Sequence, residues 1–299
     1  MKTNYRKREL PLHLMLLPGV ILLLVYSYFP MAGAVIAFQK FVPINGLFNS
    51  KWVGLDNFRY VLDMPDIWQV MRNTVSIALM KMAAGLIVPL AIAILLNEIR
   101  SVLVKRGVQT LIYLPHFLSW VILGGILVEI LSPSTGLVNE LLVWLGFKPI
   151  YFLGSNGWFR FVLVFSDVWK EFGFSTIVYL AAITGINPAL YEAATVDGAG
   201  HWKQMWYVTI PGMLPIIVLM ATLSLGNVLN AGFDQVFNLY SPIVYESGDI
   251  LDTLIYRIGL VDAQFGVATA IGLFKSVVSL VLISVSYAMA YRYANYRIF

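Results

Sequence analysis

The chain has 299 residues, of which 59% are hydrophobic and only 12% charged, against roughly a quarter charged in an average soluble domain. With a mean hydropathy of +0.79 it is excluded from the water-soluble class and belongs in a bilayer. It has no cysteine, which excludes disulfide frameworks and thiolate metal sites, and its net charge of +4 does not indicate nucleic acid, because the cations sit at the ends of apolar segments and form no basic face.

Lys2, Arg6, Lys7 and Arg8 precede a long apolar run over 10–38. Ala32-Gly33-Ala34 resembles a signal-peptide cleavage site, but the run ahead of it exceeds the roughly 7–15 residues of a signal core and is near the roughly 20 needed to cross. The expectation is a cytoplasmic N-terminus over 1–9 followed by an uncleaved first span. Residues 39–72 are mixed and aromatic, with turn and helix-start signals at Gly54-Leu55-Asp56-Asn57-Phe58 and Met64-Pro65-Asp66, and read as an external loop. Five further spans are expected at about 74–96, 108–131, 158–186, 212–233 and 263–291. Pro89 interrupts the second. Pro115 and the pair Gly124-Gly125 favour a kink and close contact in the third. A second external loop over 132–157 carries a short helix over 138–145 ended by Gly146. Residues 234–262 set Asp234, Glu246, Asp249, Asp252 and Asp262 against a single Arg257 and read as an acidic external loop. The fold class is therefore an all-α integral membrane protein with six spans.

The interval 187–215 contains polar residues yet keeps a helical pattern. Asn187 suits a cap and Pro188 the first helical position, and Leu190, Ala193, Ala194 and Asp197 recur at helical spacing. A short helix over 189–197 follows, ended by Gly198 and Gly200. From His201 the pattern restarts with Trp202, Met205, Trp206 and Ile210 on one side, a second short amphipathic helix stopped or redirected at Pro211. Amphipathicity alone leaves two readings open: helices lying on the bilayer, or an aromatic face presented to another protein.

The order Glu192-Ala193-Ala194, Asp197-Gly198-Ala199, Ile210-Pro211 and Pro215 resembles the EAA loop of integral-membrane permeases of ATP-binding-cassette importers. The resemblance implies a six-helix type I importer bundle whose loop over 187–211 is cytoplasmic and docks as a coupling helix into a cleft of the nucleotide-hydrolysing subunit. It implies that Glu192, Ala193, Ala194, Asp197, Gly198, Trp202 and Met205 couple to that ATPase. Glu192 would meet a basic residue there, and Gly198 would allow the sharp turn. Trp202, Met205 and Trp206 would be docking anchors or pack under the spans, with packing expected for at least one tryptophan. The implied partners are a second homologous permease in a heterodimer, two ATP-binding subunits that hold Mg-ATP, an extracytoplasmic solute-binding protein, a saccharide and membrane lipid. No cofactor and no nucleic acid are expected for this chain. Leu17-Pro18-Gly19, Phe29-Pro30-Met31, Trp52-Val53-Gly54-Leu55, Asp167-Val168-Trp169-Lys170 and Leu190-Tyr191-Glu192-Ala193-Ala194 resemble the LplB-like polysaccharide or oligosaccharide permeases. Charge gives an independent orientation. The proposed inner segments 1–10, 98–109, 187–210 and 292–299 hold ten Lys/Arg in 54 residues, and the outer segments 39–72, 132–160 and 233–262 hold seven in 93. The positive-inside rule then expects both termini in the cytoplasm of a bacterial-type plasma membrane.

Ionisable groups at membrane depth face a cavity or a partner by default. Asp167, Lys170 and Glu171 cluster in span four, with Asp167 and Lys170 at i, i+3, close enough to pair. Asn227 and Asn230, also i, i+3, share one helix face and suit either sugar hydroxyls or neighbouring helices. In the maltose-type permeases that this chain resembles, sugar contacts come from the helices flanking the EAA loop and include such an asparagine pair. Asn227 and Asn230 are therefore substrate-pathway candidates by motif, and Lys170 and Glu171 by position. Lys81 and Lys275 have no evident partner. His13, His116 and His201 are scattered, and no HExxH, GxSxG or phosphate-cradling pattern occurs, so neither catalysis nor ATP or metal binding is expected of this chain. A secondary transporter would show paired repeats with broken helices and a mid-membrane carboxylate. A membrane-embedded enzyme would need more than Asp167 and Glu171 on one helix.

Overall fold

The computed structural model describes residues 3–226 and 228–294, so Asn227 lies outside the described residues. Among the described residues four helices are long and apolar enough to cross a membrane: Glu9–Phe38, Ile67–Asn97, His201–Leu225 and Phe265–Val285. Two bent pairs raise the number to six if each is one span, Val102–Phe117 with Trp120–Ile130 (102°) and Asn156–Thr184 with Pro188–Val196 (67°). The chain divides into two compact units, 1–67 with 254–274, and 68–253 with 275–299.

In the first unit Gln39–Lys40 pairs antiparallel with Lys51–Trp52. Asn57 pins this hairpin by donating to the Ala37 and Gln39 carbonyls at 2.8 and 3.0 Å, which satisfies backbone acceptors that a two-residue ladder leaves open. Phe41 meets Phe265 edge to face at 5.9 Å.

The second unit corrects four sequence expectations. Its first helix begins at Ile67, not 74, because Asn73 is fully buried and donates to the Glu246 and Asp249 carbonyls at 3.1 and 3.2 Å. The third span is broken, not merely kinked. Pro115 lies in a tight 3-10 turn, Leu118 is extended, and Ser119 restarts the helix by accepting from the Ile122 N–H. The helix from His201 does not stop at Pro211. It runs on to Leu225 through a π-turn over Met205–Thr209, in which the Ile210 N–H bonds to the Met205 carbonyl just ahead of the proline that has no N–H to give. It ends eight residues short of the expected 233, so Asn230 lies on non-helical backbone and not on a helix face. Residues 234–262 are no open loop. They form short helices, including Phe233–Leu239 and Leu251–Tyr256, and Gln235, Val236, Asp249, Ile250 and Thr253 are buried. The expected external helix is present as Leu137–Trp144, closed by Gly146 at φ 87°.

Two apolar cores hold this unit. One joins Ile77, Phe159, Leu163, Val236 and Ile250, the other Ala93, Leu96, Tyr179, Ile183 and Met213. Backbones approach closely at Gly173, where a Cβ would collide with the Ile112 carbonyl and stand 3.2 Å from the Tyr113 nitrogen.

The ionic partners also differ from expectation. Asp167 pairs with Lys81 at 3.2 Å and not with Lys170. Lys81, 8% exposed, donates as well to the Ala231 carbonyl at 2.7 Å and to the Gln235 amide oxygen. Gln235 in turn donates to the Leu163 carbonyl and Ser166 Oγ, both at 2.7 Å. Lys275, expected to be unpaired, meets Asp252. One ammonium thus ties the 67–97 helix, the 156–184 helix and the chain after Leu225 together, with every neighbour offering it oxygen.

Two outcomes follow for folding. Gly173→Ala should destabilise the detergent-solubilised protein by about 1–3 kcal/mol, whereas Gly85→Ala, with no atom within 4 Å of the added carbon, should be neutral or stabilising, as thermal unfolding would read. Lys81→Met should cost about 3 kcal/mol by leaving Asp167 uncompensated. Adding Asp167→Asn should recover more than about 1 kcal/mol, a coupling that a double-mutant cycle measures.

Candidate functional site

The turn between the 156–184 and 201–225 helices is built residue by residue. Asn187 Oδ1 accepts from the Ala189 N–H at 3.1 Å, Pro188 occupies the first turn, and the helix spans Pro188–Val196. It ends in a paired cap: the Ala199 N–H bonds to the Ala194 carbonyl at 2.8 Å and the Gly198 N–H to the Thr195 carbonyl at 3.0 Å, with Gly198 at φ 77°. That left-handed position favours glycine, as the sequence suggested. Cross-ties then fix the angle of the elbow. Gln204 Nε2 donates to Thr195 Oγ1 and the Ala199 carbonyl, both at 3.0 Å, and the Tyr191 hydroxyl lies 3.0 Å from the buried Thr209 hydroxyl. His201 stands 3.6 Å from Glu98, just past the 67–97 helix.

The elbow presents apolar and aromatic side chains outward beside charged ones, Lys203 among them. Val196 is 87% exposed, Trp202 74% and Trp206 60%, so neither tryptophan packs beneath the helices of this chain, and the packing expected for one of them is not found. Met205 is half-buried instead. Glu192, Ala193, Asp197 and Gly198 are exposed, Ala194 is half-buried, and the Glu192 and Asp197 side chains form no hydrogen bond or ion pair among the described residues. The elbow therefore exposes two unpaired carboxylates and several apolar and aromatic side chains on the same turn.

A second feature is a cavity of about 620 Å³ between the 67–97, 156–184 and 201–225 helices. Asp167, Glu171 and Ser175 line it at four-residue intervals, one stripe along the 156–184 helix. Lys81 and Met82 face them from the 67–97 helix, and Ser224 and Asn230 close the side. Of the substrate-pathway candidates, the cavity brings together Glu171 and Asn230. Lys170 is turned away. Its ammonium donates to the His116 carbonyl at 3.1 Å and Glu171 at 2.8 Å, and sits 5.7 Å from the centre of the Trp120 ring, holding the break in the third span. His116 Nδ1 meets the other Glu171 oxygen at 2.8 Å and stacks on Phe174 at 4.6 Å.

Lys81 and Asp167 are the cavity residues that the sequence reading did not connect. The signal was present: the predicted spans hold three carboxylates, Glu129, Asp167 and Glu171. A lysine in an otherwise uncharged stretch needs one of them.

Comparison with known proteins agrees with this architecture. Residues 83–295 match the family described as binding-protein-dependent transport system inner membrane component. The chain is 42% identical over 288 residues to the polygalacturonan/rhamnogalacturonan transport system permease protein YteP of Bacillus subtilis (strain 168), covering 96% of this chain and 90% of that one. It is 39% identical over 277 residues to protein LplB of the same organism, covering 93% and 87%. Among solved structures it is similar to a chain of a bacterial ABC transporter involved in the import of the acidic polysaccharide alginate, with a TM-score of 0.89 and 41% identity over 96% of this chain and 97% of that one. It is equally similar, at TM-score 0.88 and 40% identity over 96% of each, to a chain of that transporter in complex with an alginate pentasaccharide-bound periplasmic protein. With its elbow, broken third span and more than two thirds of its length inside the family match, the chain belongs to the inner-membrane permease components of binding-protein-dependent ABC importers.

Proposed function

We propose that this chain is one of two permease subunits of a carbohydrate importer and moves an oligosaccharide inward by alternating access, driven by ATP hydrolysis in separate subunits. The observation that carries this reading is the elbow, a cross-tied helical turn that joins two long helices and exposes apolar and aromatic side chains together with unpaired carboxylates. Such a surface suits a protein cleft with a basic residue in it better than it suits lipid, because Glu192 and Asp197 would face hydrocarbon without a partner. Glu192, Ala193, Ala194, Asp197, Gly198, Trp202 and Met205 are the proposed coupling residues. Closure of two Mg-ATP-loaded subunits would draw this elbow and its counterpart on the second permease together, and the rigid helices would carry the movement to the cavity. The saccharide class follows the relatives, whose names include polygalacturonan/rhamnogalacturonan and arabino-oligosaccharides. The similarity to a transporter solved with a periplasmic protein supports delivery by an extracytoplasmic binding protein. In this reading the elbow and both termini face the cytoplasm of the plasma membrane. Asn230, Glu171 and, through Glu171, Lys170 border the sugar's route, and Asn227 is proposed with them from its motif alone.

Gly198→Asp in the reconstituted complex tests the coupling role. The variant should insert and assemble, because only a φ-positive turn is strained, while uptake per ATP hydrolysed falls at least tenfold. Uptake unchanged from wild type would count against the elbow as the coupling element.

A further inference from the structure

The Val102–Tyr113 helix and the last turns of the 156–184 helix enclose a groove of about 240 Å³, separate from the elbow and from the larger cavity. His116 meets Glu171, and the Ile112 carbonyl lies against Gly173. The two helices therefore run antiparallel, and Lys105 falls level with Thr184, the last residue before the 67° bend into the elbow. Lys105, Gln109 and Tyr113 line one wall at four-residue spacing, a stripe about 12 Å long at 1.5 Å per residue. Ile177, Leu180 and Ala181 line the other wall. Val108 and Ile112 pack into the neighbouring core, which leaves the polar stripe at the rim of the helix contact.

All three polar side chains of the stripe are half-buried, and none forms a hydrogen bond or ion pair among the described residues. Left bare along a span they are costly. Their order indicates what satisfies them. An ammonium stands at the elbow end, an amide donor one turn further in and a phenol hydroxyl one turn beyond that, with an apolar wall alongside. A glycerophospholipid presents the complementary order of phosphate anion, ester carbonyls and acyl chain. Lys105 also closes the first turn of its helix, which holds no acidic residue, and there the helix dipole disfavours a cation. Arg106 beside it and Arg100 ahead of the helix are exposed. Glu98, the nearest acidic residue in the sequence, stands 3.6 Å from His201. A bound phosphate relieves this concentration of positive charge, whereas an apolar helix of a second permease would leave Lys105, Gln109 and Tyr113 unmatched.

We propose that this groove is a specific site for one anionic phospholipid of the leaflet on the elbow side, with its phosphate at Lys105, its glycerol esters at Gln109 and Tyr113, and one acyl chain along Ile177, Leu180 and Ala181. The site is independent of the transported substrate. The cytoplasmic placement of the elbow enters only in saying which leaflet supplies the lipid.

The test uses the complex of this chain with its permease and ATPase partners, delipidated in detergent and titrated with phosphatidylglycerol or with phosphatidylcholine of the same acyl chains, bound lipids being resolved by native mass spectrometry. The first phosphatidylglycerol should bind at least about fivefold tighter than phosphatidylcholine, the contribution of one lysine at an anionic headgroup. Lys105→Gln should bring that ratio below about twofold, while Lys105→Arg, which keeps the charge, and Arg106→Gln, whose cation does not line the groove, should preserve it. Gln109→Leu should weaken both lipids alike, because both carry the esters. Glycerol 3-phosphate, a headgroup without chains, should not displace the lipid. Equal binding of the two lipids by the wild-type complex overturns the proposal, as does a ratio unmoved by Lys105→Gln. Displacement by glycerol 3-phosphate overturns it in favour of a soluble phosphate ligand. Binding that depends on Lys105 in the isolated chain but is absent from the complex overturns it in favour of a protein partner over the groove. Where Lys105→Gln does not assemble, Gln109→Leu decides, and unchanged affinity for both lipids in that variant removes the site. None of these results bears on saccharide uptake, which is measured separately.

Discussion

A helix that breaks inside an apolar medium leaves carbonyls without donors, each costing several kcal/mol if left bare, and this chain breaks its helices repeatedly. Long side chains from neighbouring helices cap the breaks. Lys170 donates to the His116 carbonyl where the third span turns by 102°. Lys81 donates to the Ala231 carbonyl past the end of the 201–225 helix. Asn73 reaches the Glu246 and Asp249 carbonyls, Arg160 the Ser247 carbonyl at 3.0 Å, and Gln235 the Leu163 carbonyl. Remove these donors and neither the bent third span nor the buried 233–256 segment has a reason to hold its shape. The cavity between them depends on the same contacts.

That constraint explains which features the sequence revealed. Periodicity and apolar length located the helical segments, and the elbow was legible almost to the residue, because Asn187, Pro188 and Gly198 each answer a local backbone demand. The breaks were not legible in the same way. Pro115 announces a bend, but its angle depends on Lys170, which lies 55 positions away in the chain. Pro211 announces an end that a π-turn avoids. The 233–256 segment looked like a loop because its polar residues, Gln235, Asp249 and Thr253, are those that a buried segment needs for its hydrogen bonds. Asp167 and Lys170 stood at pairing distance by spacing, yet Asp167 pairs with Lys81 on another helix, and Lys170 with its neighbour Glu171 and the His116 carbonyl. Spacing along one helix says nothing about what the next helix offers.

The cavity and the elbow share their helices. The 156–184 helix carries Asp167, Glu171 and Ser175 and runs into the elbow, and the 201–225 helix leaves the elbow and carries Met220 and Ser224. Each long helix runs unbroken from the cavity to the edge of the elbow, apart from the π-turn over Met205–Thr209 in one and the 67° bend that follows Thr184 in the other, so a rotation imposed at the elbow reaches the cavity along helical backbone. Tyr191 to Thr209 and Gln204 to Thr195 clamp the short Pro188–Val196 helix to the start of the 201–225 helix. Displacement there moves both walls of the cavity together. Membership of the importer family supplies the engine that such a linkage needs.

The sidedness of the elbow is the point on which coupling stands. Because the chain has no cysteine, Val196→Cys places a single thiol at an 87% exposed position of the elbow. With a membrane-impermeant maleimide, intact cells should leave that thiol unmodified, inverted vesicles stripped of ATPase should label it fully, and restoring the ATPase subunits should slow the reaction. Labelling from outside intact cells would contradict the cytoplasmic elbow and, with it, the mechanical link to ATP hydrolysis.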